Sequence, residues 1–217
     1  MQWTQYIDAY CERSGPEYWA EPVNAVTNAA FLIAALIMWR RVQGPRMGLA
    51  QALCVILGLI GVGSYLFHTH AVVWAAVADT TPIAAYVLLY IFAANRDFRG
   101  MSGLWAFVAT LLFFPFAYVL MPMFEALPVL GVSAAYLPVP AMIALYAIAL
   151  RKRLPRVSTG LAIGVVILMV SLTMRSVDAR VCTTLPLGTH FLWHILNAVM
   201  LGWMIEVYRR HVEAQQG

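Results

Sequence analysis

Charge is what this sequence has least of. Asp, Glu, Lys and Arg make up 11% of its 217 residues, against about 25% in an ordinary soluble domain, while 62% of residues are hydrophobic. Mean hydropathy is +0.76. A soluble globule of this length cannot hide that much apolar surface, so a water-soluble enzyme is excluded. Disorder is excluded too, because it needs low hydrophobicity and high charge. A second soluble domain has no room. Each transmembrane helix takes roughly 20 apolar residues to cross about 30 Å of hydrocarbon, and seven of them use about 140. The first 21 residues lack a Lys/Arg region ahead of an apolar core and carry Asp8, Glu12, Glu17 and Glu21 instead. They read as a short acidic extramembrane segment, not a signal peptide.

What is present is a series of apolar runs. They cover residues 22–39, 47–67, 71–94, 101–123, 127–150, 157–174 and 189–207. All run near 20 residues without strict alternation, which favours helices over a membrane β-barrel. The expected fold is all-α: an integral membrane bundle of seven transmembrane helices. It forms one domain over residues 1–217, with segment 1–21 outside the membrane and a short tail at 208–217. Pro115, Pro138 and Pro140 fall in runs four and five and are candidate kinks, and residues 121–131 are a candidate break.

The few cations sort by side. Seven spans put loops one-two, three-four and five-six with the C-terminus. That side holds Arg40, Arg41, Arg46, Arg96, Arg99, Arg151, Lys152, Arg153, Arg156, Arg209 and Arg210. The other side holds Arg13, Arg175 and Arg180. The cation-rich side is normally cytoplasmic, so the N-terminus is expected outside and the C-terminus cytoplasmic. The net charge of +4 is thereby read as a topology signal and not as a nucleic-acid surface. Cys11 and Cys182 both fall on the expected outer face, where a disulfide can persist, and topology alone leaves their pairing open. Cys54 lies inside the second run as a small packing residue.

The membrane should reject Asp79, the one charged residue deep inside a span, and such groups are usually functional or paired. His68 ends the second helix, while His190 and His194 open the seventh at i, i+4 spacing, on one face. Ser64 lies one turn before His68. The alternating direction of the helices brings Ser64, His68, Asp79, His190 and His194 to one depth near the outer surface. Asn197, and Asn24, Thr27 and Asn28 on the first helix, add polar faces there. Three histidines suit a catalytic Zn²⁺, which takes three protein ligands and keeps a fourth position for water. A carboxylate such as Asp79 then serves as acid–base, and Ser64 as a donor to a developing oxyanion. The plainer readings are histidines hydrogen-bonded between helices, a structural Asp, and Ser64 as a small contact residue. His70 is a further candidate ligand that reads as loop, and His211 reads as solvated.

These residues also carry a resemblance. Tyr10-Cys11-Glu12, Trp19-Ala20-Glu21-Pro22-Val23-Asn24-Ala25-Val26-Thr27-Asn28, Gly63-Ser64-Tyr65-Leu66-Phe67-His68, Asp79 and His190-Phe191-Leu192-Trp193-His194-Ile195-Leu196 follow one another in order and spacing. In these the chain resembles the alkaline ceramidase family, within a superfamily of seven-helix membrane hydrolases that includes the progestin and adipoQ receptors. The resemblance implies zinc ligands at His68, His190 and His194, site residues at Ser64 and Asp79, and a Cys11–Cys182 bridge. It implies hydrolysis of the ceramide amide to a sphingoid base and a fatty acid. The family's N-terminal calcium motif is matched only at Glu12 and Glu21. Ala9, Tyr10 and Ser14 stand where its Asp, Trp and Asn would be, and Asp8 is one residue away. Calcium needs six to eight oxygens, and this segment offers fewer carboxylates than the family pattern; Glu12, Glu21 and Asp8 stand as candidate calcium ligands beside the plainer reading of a solvated acidic segment near an anionic lipid surface.

The expected function is therefore zinc-dependent cleavage of a membrane lipid amide, such as ceramide or another N-acyl lipid. It would take place in a bacterial inner membrane or a eukaryotic internal one, with zinc-activated water as nucleophile. The alternative is a seven-helix lipid receptor or sensor with a structural metal site. A haem-binding cytochrome is a weaker third reading and leaves Asp79 without a use.

Overall fold

A computed structural model describes residues 2–216, of which 74% are helical. The elements are α1 (Pro22–Thr27), α2 (Ala29–Arg41), α3 (Gly48–His70), α4 (Val73–Ala93), α5 (Gly103–Leu111), α6 (Phe113–Glu125), α7 (Pro138–Leu150), α8 (Pro155–Val181) and α9 (His190–Ala214). A π-helical turn, Ala94–Phe98, continues α4, and a 3-10 turn, Leu130–Ser133, precedes α7. Among the described residues there is no β-strand. A single antiparallel bridge, Tyr6 to Val72, lays the N-terminal segment along the α3–α4 turn.

Proline places several of these boundaries. Pro22, Pro138 and Pro155 open α1, α7 and α8, at the position where a missing N–H costs nothing. The α5–α6 break at Leu112 follows from Pro115, whose ring clashes with the carbonyl four residues earlier, that of Leu111. Six stretches are long and apolar enough to cross a membrane: Pro22–Arg41, Gly48–His70, Val73–Phe98, Gly103–Glu125, Pro155–Val181 and His190–Ala214. The fifth apolar run behaves differently from expectation. Residues 127–150 do not form one helix, because Pro138 starts α7 late and leaves it 13 residues. At 1.5 Å per residue that is about 20 Å, short of the hydrocarbon thickness.

Two helices outrun their apolar runs. α8 continues to Val181 and so carries Arg175 and Asp178, which a hydropathy boundary at 174 had placed in a loop. α9 continues to Ala214, so most of the expected tail at 208–217 is packed helix. His211 is buried there and not solvated: its Nε2 lies 3.1 Å from the Asp97 carbonyl and its ring meets Phe98 edge-on.

α9 is the most buried span and the axis of the bundle, with α2, α3 and α8 around it. α5 and α6 lie at the periphery. α6 buries no residue, and Leu104, Trp105, Tyr118 and Val119 point outward, as lipid-facing side chains do. α3 and α4 pack tightly because Gly63 has no side chain. A Cβ there would run into the Ala78 carbonyl and lie 3.2 Å from the Asp79 Cα. That close approach sets Asp79 next to Ser64.

Candidate metal centre

His68 on the last turn of α3 and His190 and His194 on the first turns of α9 converge. Each is at most 2% exposed, and one ligand nitrogen from each lies within 4.8 Å of the others. Among the described residues this is the one group of three or more His, Cys, Asp or Glu close enough to hold a metal. Three ring nitrogens in it, His68 Nε2, His190 Nδ1 and His194 Nε2, are buried without a hydrogen-bond partner. Buried polar atoms are seldom left so. Bare imidazole nitrogens aimed at one another repel unless a cation sits between them, so the residues present fit a metal ion.

The opposite side of each ring is fixed. His68 Nδ1 is 2.6 Å from Glu21 Oε2, and His194 Nδ1 is 2.9 Å from Thr27 Oγ1, whose hydroxyl donates to the Val23 carbonyl 2.8 Å away. Both Nδ1 atoms therefore carry the proton and both Nε2 atoms are free for the centre, the arrangement that outer partners impose on metal-binding histidines. The Tyr10 ring stacks on His190, with centroids 3.5 Å apart and planes at 20°. Burial raises the Tyr10 hydroxyl pKa, so it stays a neutral donor.

Glu21 is itself held. Its Oε1 accepts from Arg13 Nε, and its Oε2 accepts from Asn24 Nδ2 at 3.0 Å as well as from His68. Burial alone would raise its pKa, but the hydrogen bonds from His68 and Asn24 and the Arg13 charge hold it below the usual carboxylate range. Arg13 has no exposed side-chain surface and also donates to the Gly15 carbonyl at 2.9 Å and the His68 carbonyl at 2.8 Å. A chain Arg13–Glu21–His68 thus ties the N-terminal segment to the centre.

Asp178 does the same for α9. Its Oδ1 accepts from the backbone N–H of Thr189 at 2.7 Å and of His190 at 2.9 Å, satisfying the helix N-terminus with a carboxylate. Its Oδ2 accepts from Cys11 N at 3.0 Å. Gly188, at φ +67°, makes the contact possible, since any Cβ there would strike the Asp178 carboxylate. The Cys11–Cys182 disulfide closes the same corner, with a Cα–Cα distance of 5.2 Å.

Asp79 and Ser64 lie together beside His68. Ser64 is buried and Asp79 half-buried. His70 is exposed, next to Trp74 and Tyr18, and takes no part. Asp8, Glu12 and Glu21 form no metal cluster. Glu12 accepts the Val23 and Asn24 backbone N–H groups, both at 2.7 Å, as a cap on α1. Glu21 is committed to Arg13 and His68, and Asp8 is exposed. These residues do not fit calcium. Below the histidines an apolar cavity runs between α4, α7 and α9, past Ile83, Val139, Trp193, Asn197 and Leu201 to Met204. Arg13, Arg175 and Asp178 escaped the sequence reading. Asp178, an acid four residues before Cys182 in a charge-poor chain, was the one available signal.

A family model described as Ceramidase matches residues 6–216. No curated protein matches the chain.

Proposed function

The chain belongs to the ceramidase family, and from that premise we propose that it is a zinc-dependent intramembrane hydrolase of lipid amides. Ceramide, split into a sphingoid base and a fatty acid, is the leading substrate. The observation that carries this reading is the convergence of three buried, unpartnered imidazole nitrogens beside a carboxylate. His68, His190 and His194 would hold the ion, and a neutral three-nitrogen set suits zinc with one position left open. Zinc supplies a Lewis acid there and lowers the pKa of water to make a nucleophile at neutral pH.

The chain's own residues do the rest. Asp79 takes the proton from the attacking water and delivers it to the amide nitrogen as the C–N bond breaks. Ser64 donates its one proton to the Asp79 carboxylate at rest and turns it to the carbonyl oxygen, as negative charge develops there, once Asp79 has been protonated. The apolar cavity receives the acyl chain, with the amide at its upper end.

The same proposal includes one domain over residues 1–217 that crosses the bilayer seven times. The 3-10 turn Leu130–Ser133 and α7 together make the fifth crossing. The N-terminus and the metal centre face outward, and the cation-rich loops and C-terminus face the cytoplasm. The test is zinc content and ceramide hydrolysis measured on one purified sample, with products read by mass spectrometry. Zinc near one equivalent, release of sphingoid base, and loss of both in His190→Ala plus His194→Ala are expected. Retained zinc in that variant removes the ligand assignment. Lipid binding without product release favours the receptor or sensor reading instead.

A further inference from the structure

Arg175 is a cation that the mechanism does not use, at the depth where the mechanism acts. α8 and α9 run antiparallel. Ser171 on α8 donates to the Trp193 carbonyl at 3.1 Å, and Asp178 accepts from the His190 N–H. Arg175 lies between those two contacts, so its level on α8 is that of the His190–His194 turn. Tyr10, whose ring covers His190, and Asp79 both lie close to it. Its guanidinium sits 5.0 Å over the Tyr136 ring, and Tyr136 lines the apolar cavity.

A half-buried arginine is normally matched by an acid. Arg13, Arg41, Arg96, Arg209 and Arg210 each pair with a carboxylate. Arg175 pairs with none among the described residues. The carboxylate nearest in sequence, Asp178, is spent on the N–H groups of Cys11, Thr189 and His190. The hydrogen bonds of Arg175 run through Nη1 to neutral oxygens, Ser133 Oγ at 3.0 Å and the Val132 carbonyl at 3.3 Å. Ser133 Oγ is in turn 2.7 Å from Ser176 Oγ. The position is thus held in place by neutral groups, and Asp79, the acid near it, makes no ion pair with its guanidinium.

We infer that Arg175, with the hydroxyls of Tyr10 and Ser133, forms a subsite for a lipid carboxylate. It lies beside the metal centre and at the head of the apolar cavity. A planar guanidinium matches a carboxylate with two parallel N–H···O bonds, and a lysine would not. The carboxylate has two chemical sources: the fatty acid released by hydrolysis, or an acidic head group on the uncleaved amide. The inference rests on the lipid amide hydrolase reading for its substrate class, but binding can be measured without turnover.

The experiment uses full-length zinc-loaded Asp79→Asn protein in detergent, with and without Arg175→Gln. The probes are oleate, N-oleoylglycine and the neutral N-oleoylethanolamine. Replacing a charge-assisted contact is expected to lower the ratio of carboxylate to neutral affinity by about tenfold or more. A drop for oleate alone assigns the subsite to the released acid, a drop for N-oleoylglycine alone assigns it to an acidic head group, and both drops support a shared site. An unchanged ratio for both acids overturns the inference. Should Arg175→Gln fail to fold, the parent protein still decides, because equal affinity for oleate and oleyl alcohol overturns it as well. Absence of amide cleavage by the wild type, with the affinity ratios as expected, would sink the hydrolase reading and leave the subsite standing.

Discussion

Glu21→Gln probes the link between the N-terminal segment and the metal centre. Glu21 accepts three buried donors, from Arg13, Asn24 and His68. Gln has the same shape but one acceptor oxygen, so its NH₂ must face either His68 Nδ1 or Arg13. In the first orientation the His68 ring loses the partner that keeps its proton on Nδ1 and its Nε2 bare. In the second the guanidinium meets a donor. Loss of such an outer partner typically costs 10- to 100-fold in metal affinity, about 1.4 to 2.8 kcal/mol. Zinc affinity measured by competition with a chromophoric chelator should fall within that range. The uncompensated Arg13 charge adds a stability cost of about 3 to 5 kcal/mol, typical of a broken buried pair. The double variant Arg13→Met plus Glu21→Met removes the orphan charge and leaves His68 Nδ1 with no acceptor at this position. Its thermal stability should recover while its zinc affinity stays low, which separates orientation of His68 from general loosening. Zinc affinity within twofold of wild type in Glu21→Gln would refute the assignment of Glu21 as the residue that positions His68.

Asp79→Asn should keep its zinc, since Asp79 is not among the three converging ligands, yet lose about 10²- to 10⁴-fold in kcat, the usual worth of a positioned acid–base; full activity removes that role. Cys11→Ser should release the segment carrying Glu12 and Arg13, destabilising the protein by about 2 to 4 kcal/mol and speeding zinc loss to a chelator; an unchanged melting temperature refutes this. Gly188→Ala should destabilise by more than about 1 kcal/mol, because the φ is left-handed and the new Cβ strikes Asp178, and a wild-type melt refutes it. Added calcium, or a calcium-selective chelator, should change neither stability nor turnover, because Glu12 and Glu21 are occupied by protein donors; a clear response refutes that.

The parts of the fold legible in sequence were those written in local patterns. Run length and scarcity of charge marked the membrane helices, and the i, i+4 histidines announced a shared face before any neighbour was known. The misread boundaries lie where hydropathy and helix formation diverge. α8 stays helical through Arg175 and Asp178 because tertiary partners, not an apolar run, hold its last two turns. α9 likewise continues past residue 207, where Tyr208 and His211 bond to Asp97. The fifth run fails in the opposite sense, being apolar enough to span but interrupted at Pro138.

Arg13 illustrates what sequence cannot carry. As a lone arginine in an acidic segment it reads as a topology charge. In three dimensions it is a fully enclosed cation that joins a carboxylate and two carbonyls, one of them the carbonyl of a candidate metal ligand. Residues 13, 21 and 68 have no periodic relation. They meet because the N-terminal segment is stapled to the C-terminal end of α8 by Cys11–Cys182 and laid along the α3–α4 turn by the Tyr6–Val72 bridge. Each of those restraints closes a long loop, and their common effect is to press one cation against Glu21. In a chain with so few charges, the histidines can be found from spacing alone. The groups that hold those histidines still depend on contacts that only the closed fold creates.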